Sequence, residues 1–365
     1  MKGELGLAAL IRILVLVVIV LLAGYYIYDD NNKQSDILYM EDTATPELDQ
    51  GKVTENSELV RTTKLQRPEN GLSTFLGKQA DAFKAVYGEP NRMDPSTYGY
   101  EWWIYNQNSK EYMQVGVESG KIVTIYALGE NFNLEPFKVG ETIEEIFSTF
   151  QIQTDIHFNY EGTAYKFELS EEDMNSKPLI QMGDMYVQLN IDKFTGSLVS
   201  VRYLDVKTLI VQRPYELMYR GELLEPMPVT DEAWPLIEQG SQKQIFEITN
   251  ILRKRYHLPQ LVWDDAVANV AYLHSKDMND TNSLSHTSKQ YGEVTDRLNN
   301  AQIHYDKAGE IIAANYIDAP AVIEGWINSE HHRENLLDEK FTHTGVGVYR
   351  KHYTQNLIET KEENE

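Results

Sequence analysis

The sequence predicts an α+β protein in which two folded regions follow one membrane-spanning helix. Three observations predict this arrangement: an apolar run near the N-terminus, a weakly repeated pattern of a helix and several strands in the middle, and two amphipathic helical patterns beyond residue 240. With 365 residues, the chain has room for two or three domains. Hydrophobic residues make up 42% of it, which is enough for a buried core.

The segment 1–28 predicts a membrane anchor. Residues 13–23 are all apolar, Lys2 and Arg12 precede them, and two aspartates follow the tyrosines at the end of the segment. A span needs about 20 apolar residues, which the flanking apolar positions supply if Arg12 lies near the inner face. Because positive flanks stay in the cytoplasm, we expect a single-pass protein of the cell membrane with its C-terminal domains extracytoplasmic. A cleaved signal peptide is the alternative, although no small-x-small cleavage site precedes the tyrosines.

The amino-acid composition argues against several classes of binding partner and site. The formal net charge of -23 argues against nucleic acid, because phosphate binding needs clustered lysine and arginine. The chain has no cysteine, so disulfides, thiolate nucleophiles and zinc-thiolate sites are excluded.

Residues 29–70 are acidic, polar and without periodicity, so we expect a disordered linker. We expect a second linker at 211–240 and a disordered charged tail at 359–365.

The middle region, residues 71–210, repeats itself weakly. Residues 112–118 match 186–192, and the turn glycines Gly120 and Gly196 occupy equivalent places before the last strand of each copy. Each copy predicts a short helix followed by a small antiparallel meander. We therefore expect a duplicated small α+β domain whose two units pack together, since neither alone would bury enough surface.

An aromatic run within this region has two interpretations. Tyr100, Trp102, Trp103 and Tyr105 either line a binding groove or pack in a core and an interface. Packing is favoured because aromatic side chains dominate core burial.

Two helical patterns open the last region, residues 241–358. Ser241 is expected to cap a helix whose apolar stripe runs from Ile245 to Tyr256. Asp264 or the next aspartate is expected to cap a second helix, which turns His274 toward the core as a satisfied buried histidine.

Eight of the nine histidines lie between His257 and His352, among a series of ordered motifs. The series is Leu284-Ser285-His286-Thr287, Gly309-Glu310-Ile311, Trp326 through Leu337, Phe341 through Val348, and His352-Tyr353-Thr354-Gln355. It resembles the CAP superfamily of cysteine-rich secretory, antigen-5 and pathogenesis-related proteins, in particular the bacterial SCP-like branch. The repeated region before it resembles the CAP-associated N-terminal domain of some Gram-positive proteins.

The resemblance implies a C-terminal α-β-α sandwich with a cleft faced by two histidines and two glutamates. By motif, His286, Glu310 and His352 match three of these residues. Ser329 occupies the position of the second glutamate, with Glu330 next to it, and Ile311 replaces the motif asparagine. The resemblance therefore implies that a ligand contacts five residues of the cleft, which are His286, Glu310, Ser329, Glu330 and His352.

The chemistry of these residues leaves three functions open. The first is a non-enzymatic surface module that binds a cell-surface ligand or a metal in the cleft. The second is a metal-dependent hydrolase acting on cell-envelope material, in which His286 and His352 hold zinc and Glu310 is the catalytic base. The third is a structural protein of the envelope or the spore surface. Neither Gly-x-Ser-x-Gly nor His-Glu-x-x-His occurs, which disfavours the common serine hydrolases and zincins.

Overall fold

The computed structural model describes residues 65–360 and the short strand Leu38–Tyr39. The predicted anchor 1–28, most of the predicted linker and residues 361–365 lie outside the described residues. Within the described part, no helix has both the length and the apolar character needed to cross a membrane.

The described elements fall into two regions. The short strand β1 (Leu38–Tyr39) belongs to the sheet of the second region. In chain order, the first region contains α1 (Ala80–Tyr87), β2 (Arg92–Pro95), β3 (Glu101–Asn106), β4 (Tyr112–Glu118), β5 (Lys121–Ala127), α2 (Ile143–Thr149), β6 (Asp155–Tyr160), β7 (Thr163–Glu168), α3 (Glu171–Ser176), β8 (Leu179–Met182), β9 (Met185–Asp192), β10 (Ser197–Leu204), α4 (Val206–Gln212) and β11 (Glu216–Arg220). The second contains α5 (Trp234–Arg255), β12 (Val262–Trp263), α6 (Asp265–Thr281), α7 (Val294–Asn300), β13 (Lys307–Ala314), α8 (Ala319–Ile327), α9 (Glu330–Leu336), β14 (His343–Tyr349) and β15 (His352–Glu359).

The first region is built on a seven-stranded antiparallel sheet with the order β2-β3-β4-β5-β10-β9-β8. Because successive side chains of a strand point to opposite faces, Trp103 and Tyr105 of β3 pack in the cluster that contains α1 and α2. Trp102 and Ile104 instead join the cluster shared with the second region. All the aromatic residues of this run are buried, so the packing interpretation is confirmed. A smaller sheet, β11-β7-β6, packs beside the large one.

The second region is an α-β-α sandwich around a five-stranded sheet, β1-β13-β15-β14-β12. Val346 and Val348 of β14 pack on one side with residues of α5 and α8, such as Ile248 and Trp326. On the other side α6 lies directly on the sheet. The two layers approach so closely there that an ideal Cβ on Gly347 would lie 1.9 Å from the backbone nitrogen of Tyr272.

The two regions share one hydrophobic core, to which the large sheet contributes Trp102 and Tyr126 and the second region contributes α5 and α8. Polar contacts reinforce the junction. Arg255 of α5 donates to the carbonyl oxygens of Val199 and Leu128, at 2.9 and 2.7 Å. The junction between the two regions therefore combines a shared apolar core with hydrogen bonds.

The helix predicted to begin at Ser241 begins instead at Trp234, inside the segment predicted as a linker. Pro235 lies in its first turn, where a missing backbone N–H costs nothing. Gly240 lies inside this helix where β2 approaches closely: an ideal Cβ on it would lie 2.8 Å from the Cβ of Asp94, so a larger residue would not fit. The predicted linker 211–240 also contains β11 and the last residues of α4.

Two further predictions of disorder were wrong in part. Leu38 and Tyr39, within the predicted linker 29–70, pair in parallel with Ala313 and Ala314. They cover an edge of the sheet that would otherwise expose unpaired backbone groups. At the other end, Glu359 belongs to β15 rather than to a disordered tail.

Candidate functional site

The structure brings His286 and Glu310 together. Glu310 lies on β13, and its carboxylate is almost fully buried, with 2% of the side chain exposed. His286 lies in the loop after α6, and its Nδ1 is 3.0 Å from Glu310 Oε1. The His286 side chain keeps 29% of its surface exposed, so the pair joins a buried charge to a ring at the surface.

Arg297 of α7 completes the cluster. Its Nη2 donates to Glu310 Oε2, and its Nη1 donates to the backbone oxygens of His286 and Gly292 at 3.0 and 2.6 Å. One guanidinium therefore fixes both the carboxylate and the loop that carries the histidine. A buried charge is tolerated when it is paired and hydrogen-bonded in this way.

His274 is the fourth member of the cluster. It is 1% exposed, as the expectation of a core histidine requires. Its Nε2 lies 3.0 Å from the backbone oxygen of Ser285 and 3.7 Å from Glu310 Oε1. Burial lowers the pKa of His274, so this ring is neutral at pH 7. Its Nδ1 is buried without a hydrogen-bond partner in the described part of the chain.

Glu310 is held in its ionised form. Burial alone raises the pKa of a carboxyl group, but here the hydrogen bond with His286 and the charges around it, including that of Arg297, outweigh burial and lower the pKa of Glu310. With an ionised partner, a neutral His286 carries its proton on Nδ1 and presents Nε2 as the acceptor nitrogen.

A cavity of about 690 Å³ adjoins this cluster between α6 and α7. His274 and Arg297 lie in its wall together with Leu273 and Tyr291. The last two side chains are large, hydrophobic and about half exposed, at 52% and 46%. The cavity thus combines an apolar rim with two of the three side chains that lie against Glu310.

His352 does not join the cluster. It is the first residue of β15 and pairs with Ala314, whereas Glu310 pairs with Asn356 four positions along the strand. Four residues of strand correspond to roughly 13 Å. Among the described residues, neither His286 nor Glu310 makes a hydrogen bond or ion pair with His352. Burial lowers the pKa of His352, and its Nδ1 has no partner in the described chain.

Ser329 and Glu330 lie at the start of α9, away from Glu310. Ser329 Oγ is 2.7 Å from Nδ1 of the buried His332, so this serine supports the helix. Glu330 is exposed in the first turn of α9. Both line a different cavity, between the two regions.

The described residues do not form a site of the kind that zinc requires. No group of three or more histidine, aspartate and glutamate side chains within residues 65–360 is arranged to hold a metal ion. The cluster provides one histidine backed by a carboxylate, whereas structural and catalytic zinc sites use at least three protein ligands.

Arg297 could not be predicted from the sequence. It belongs to no motif, and α7 has only seven residues, too few for a clear periodicity. Its position opposite Glu310 depends on how α7 packs beside β13.

The α-β-α sandwich with a buried glutamate on its first long strand defines a CAP-type protein. The chain matches the CAP-associated N-terminal family over residues 76–215 and the cysteine-rich secretory protein family over residues 246–358. It belongs to the family of bacterial proteins that combine these two domains.

Two Bacillus subtilis proteins are similar in sequence. The membrane protein YlbC is 46% identical over 325 residues, which cover 88% of this chain and 94% of YlbC. The protein YkwD is 39% identical over 118 residues, covering 32% of this chain and 46% of YkwD.

Two crystal structures are similar in fold. An extracellular SCP-domain protein of Bacillus anthracis has a TM-score of 0.77 and 42% identity, covering 82% of this chain and 99% of that one. A cysteine-rich secretory protein of Staphylococcus aureus has a TM-score of 0.72 and 27% identity, covering 81% and 95%. The family and the sandwich fold expected from the motifs are confirmed.

Proposed function

We propose that the chain is an extracytoplasmic CAP-domain protein, held at the cell membrane by residues 1–28, whose second region binds a cell-surface ligand beside Glu310. One observation carries the ligand site: a buried carboxylate holds the partly exposed ring of His286 and the guanidinium of Arg297, and Arg297 lies in the wall of a cavity of about 690 Å³. Cavities of this size with an apolar wall and a few oriented polar groups are typical of small-ligand sites.

The contacts support binding more than catalysis. A general base is most effective when its pKa lies near the working pH. The pKa of Glu310 is lowered, and its two oxygens already face His286 and Arg297, so this carboxylate is a weak base with little freedom to move. The metal-dependent hydrolase has no specific observation in its favour, and we derive no step through zinc.

The proposed location rests on the sequence and on the names of relatives. The apolar run with positive residues before it and acidic residues after it favours an uncleaved single-pass anchor. YlbC is named a membrane protein, and the Bacillus anthracis protein is described as extracellular. Protease added to intact protoplasts that express the chain should remove residues 65–360 from the membrane fraction. Protection of these residues until the protoplasts are lysed would contradict an extracytoplasmic location.

We further propose that the first region is a duplicated domain that presents the second. Each half supplies one helix and one hairpin, α1 with β4–β5 and α2 with β9–β10, and the hairpins pair through β5 and β10. Its hydrophobic contact with α5 and α8 would hold the second region in a fixed orientation.

The ligand proposal is tested by cosedimentation of the detergent-solubilised full chain with insoluble cell-wall material from Bacillus subtilis. We expect binding that falls at least tenfold in His286→Ala, because the exposed ring of the cluster is lost. His304→Ala is the matched control, since His304 is an exposed histidine outside the cluster. Equal binding by both variants, or no binding by the wild type, would favour a structural role in the envelope instead.

A further inference from the structure

A second cavity, of about 700 Å³, lies where the two regions meet. Residues of α3, β9 and the turn after β9 form one wall, and residues of α8 and the start of α9 form the other. Two of its side chains matter here: Glu324, a carboxylate with no ion-paired cation among the described residues, and Asn190, whose amide oxygen has no hydrogen-bond partner there.

Glu324 of α8 is a largely buried carboxylate without a cation. Ser200 Oγ donates to its Oε1 at 2.9 Å, but no lysine, arginine or histidine among the described residues forms an ion pair with it. The guanidinium of Arg202 contributes its charge nearby, yet both of its terminal nitrogens are bonded to Asp318. Tyr126 also donates a hydrogen bond to this carboxylate, so what Glu324 lacks is a paired cation rather than a hydrogen-bond donor. A buried charge without a paired counter-charge is costly, which favours a cation supplied from outside.

Asn190 of β9 is 2% exposed and lines the same cavity. Its Nδ2 donates to Ser200 Oγ at 2.9 Å, so the amide, the hydroxyl and Glu324 form one hydrogen-bonded chain. The other amide atom, Oδ1, has no partner in the described part of the protein. This hydrogen-bonded chain therefore ends in two acceptors, an amide oxygen that lacks a donor and a carboxylate that lacks a paired cation.

The lysines of the cavity do not meet this need. Lys177 Nζ is 3.1 Å from Asp173, and Lys193 Nζ is 2.9 Å from Glu172. Their charges are neutralised at the rim, and Glu324 remains the acidic group of the floor. Apolar surface is available nearby, since Phe194 is 48% exposed at the mouth.

We propose that this cavity binds an organic cation with a primary ammonium group, which donates to Glu324 and satisfies Asn190 while the carbon chain of the cation packs on Phe194 and Tyr316. An ammonium group fits better than a metal ion, because it needs hydrogen-bond acceptors rather than three or more anionic or imidazole ligands, and the described residues hold no such group. The site is independent of the ligand site proposed beside Glu310.

The test is isothermal titration of the detergent-solubilised full chain at pH 8 with 1,5-diaminopentane, and with 1,5-pentanediol as the neutral analogue. Binding of the diamine but not of the diol is expected. Glu324→Gln keeps the shape of the side chain and removes its charge, so it should weaken binding at least tenfold. Glu330→Gln, an exposed carboxylate at the rim of the same cavity, should change it less than twofold.

A pH series provides an independent measurement. Burial raises the pKa of Glu324 to about 7, against the lowering effects of Arg202 and of the Ser200 hydroxyl. Tyr126 also donates a hydrogen bond to it, and Asp318 and Tyr215 lie near it. The charged or titratable side chains that line the rest of the cavity are Glu172, Asp173, Lys177, Lys193, Glu330 and His331. Because the carboxylate goes from about one-tenth to about nine-tenths ionised, affinity should rise roughly tenfold from pH 6 to pH 8. Glu324→Gln should abolish this rise, and His331→Asn, a change at the mouth, should not.

Each binding result either supports or contradicts the ammonium site. Equal binding of diol and diamine, no binding of the diamine, or an unchanged affinity in a Glu324→Gln protein that melts like the wild type would overturn the proposal. Nα-acetyl-lysine amide, tested in parallel, distinguishes a free amine from the side chain of a peptide as the natural source. Tighter binding of either probe supports the ammonium site.

Discussion

Arg202 and Asp318 form a two-point ion pair across the junction of the two regions. Arg202 Nη1 is 2.7 Å from Asp318 Oδ2, and Nη2 is 2.9 Å from Oδ1. The arginine side chain has no exposed surface. Asp318 also accepts a hydrogen bond from the backbone nitrogen of Ala321 at 3.0 Å, which caps α8. A single carboxylate thus fixes the start of a helix of the second region against a strand of the first.

Arg202→Met should destabilise the protein by about 3–5 kcal/mol, because Asp318 would stay buried without its partner. The measurement is guanidinium denaturation of the full chain. Arg350→Met is the matched control, because Arg350 pairs with Asp231 at the surface and such pairs contribute about 0–1 kcal/mol. If Arg202→Met and Arg350→Met cost the same, the ion pair does not hold the junction.

Acid should destabilise the protein through Glu310. Its pKa is lower in the folded chain than the ordinary value of 4.5, so its contribution is present above pH 4.5 and is lost as the pH falls through the folded pKa. Unfolding free energies measured from pH 6 to pH 3 should fall more steeply for the wild type than for Glu310→Gln. Parallel curves would show that the cluster with Arg297 and His286 does not control acid stability.

Ionisation of Glu324 should lower the unfolding free energy as the pH rises, which is opposite to the effect of Glu310 and falls in a higher pH range. Its folded pKa, about 7, is above the ordinary value of 4.5, so its contribution is present below pH 4.5 and is lost as the pH rises through about 7. We expect Glu324→Gln to gain on the order of 2 kcal/mol over the wild type between pH 5 and pH 8, after allowance for the solvent that reaches the cavity. A constant difference over this range would contradict the raised pKa.

Gly347→Ala should destabilise the protein by about 3 kcal/mol or more, because an added Cβ would meet the backbone of α6 at Tyr272, 1.9 Å away. Gly140→Ala is the comparison, since no atom lies within 4 Å of its ideal Cβ and only its positive φ of 87° opposes alanine. That strain costs about 1–2 kcal/mol. Thermal unfolding distinguishes the two, and a smaller loss at Gly347 would mean that α6 moves away easily.

Local features of the fold were predictable where the interaction spans only a few residues. Asp264 was expected as a cap, and its Oδ1 accepts from the backbone nitrogens of Ala266 and Val267 at 2.8 and 2.9 Å. The start of α5 was not predictable in the same way. Gly240 resembles a helix end in sequence, whereas in the structure it is the position within the helix where β2 leaves no room for a Cβ.

The site was predictable in part for a related reason. Motif resemblance indicated both His286 and Glu310, but it could not give the register of β15, which places His352 beside Ala314 instead of beside Glu310. Arg297 was missed because its role follows from the packing of α7 and from no local pattern. His274 was expected to be buried, but its proximity to Glu310 depends on the packing of α6 on the sheet and could not be predicted from the sequence.

The pairing of Leu38 and Tyr39 with the edge of β13 would, with the proposed anchor, limit how far that edge of the second region lies from the lipid. If the proposed anchor ends at residue 28, only residues 29–37 separate it from that strand, and nine residues span at most about 30 Å when fully extended. With that anchor, this edge of the second region would lie close to the outer leaflet. Lengthening the segment 29–37 would increase the distance of the second region from the membrane, whereas changing side chains of the sandwich would not.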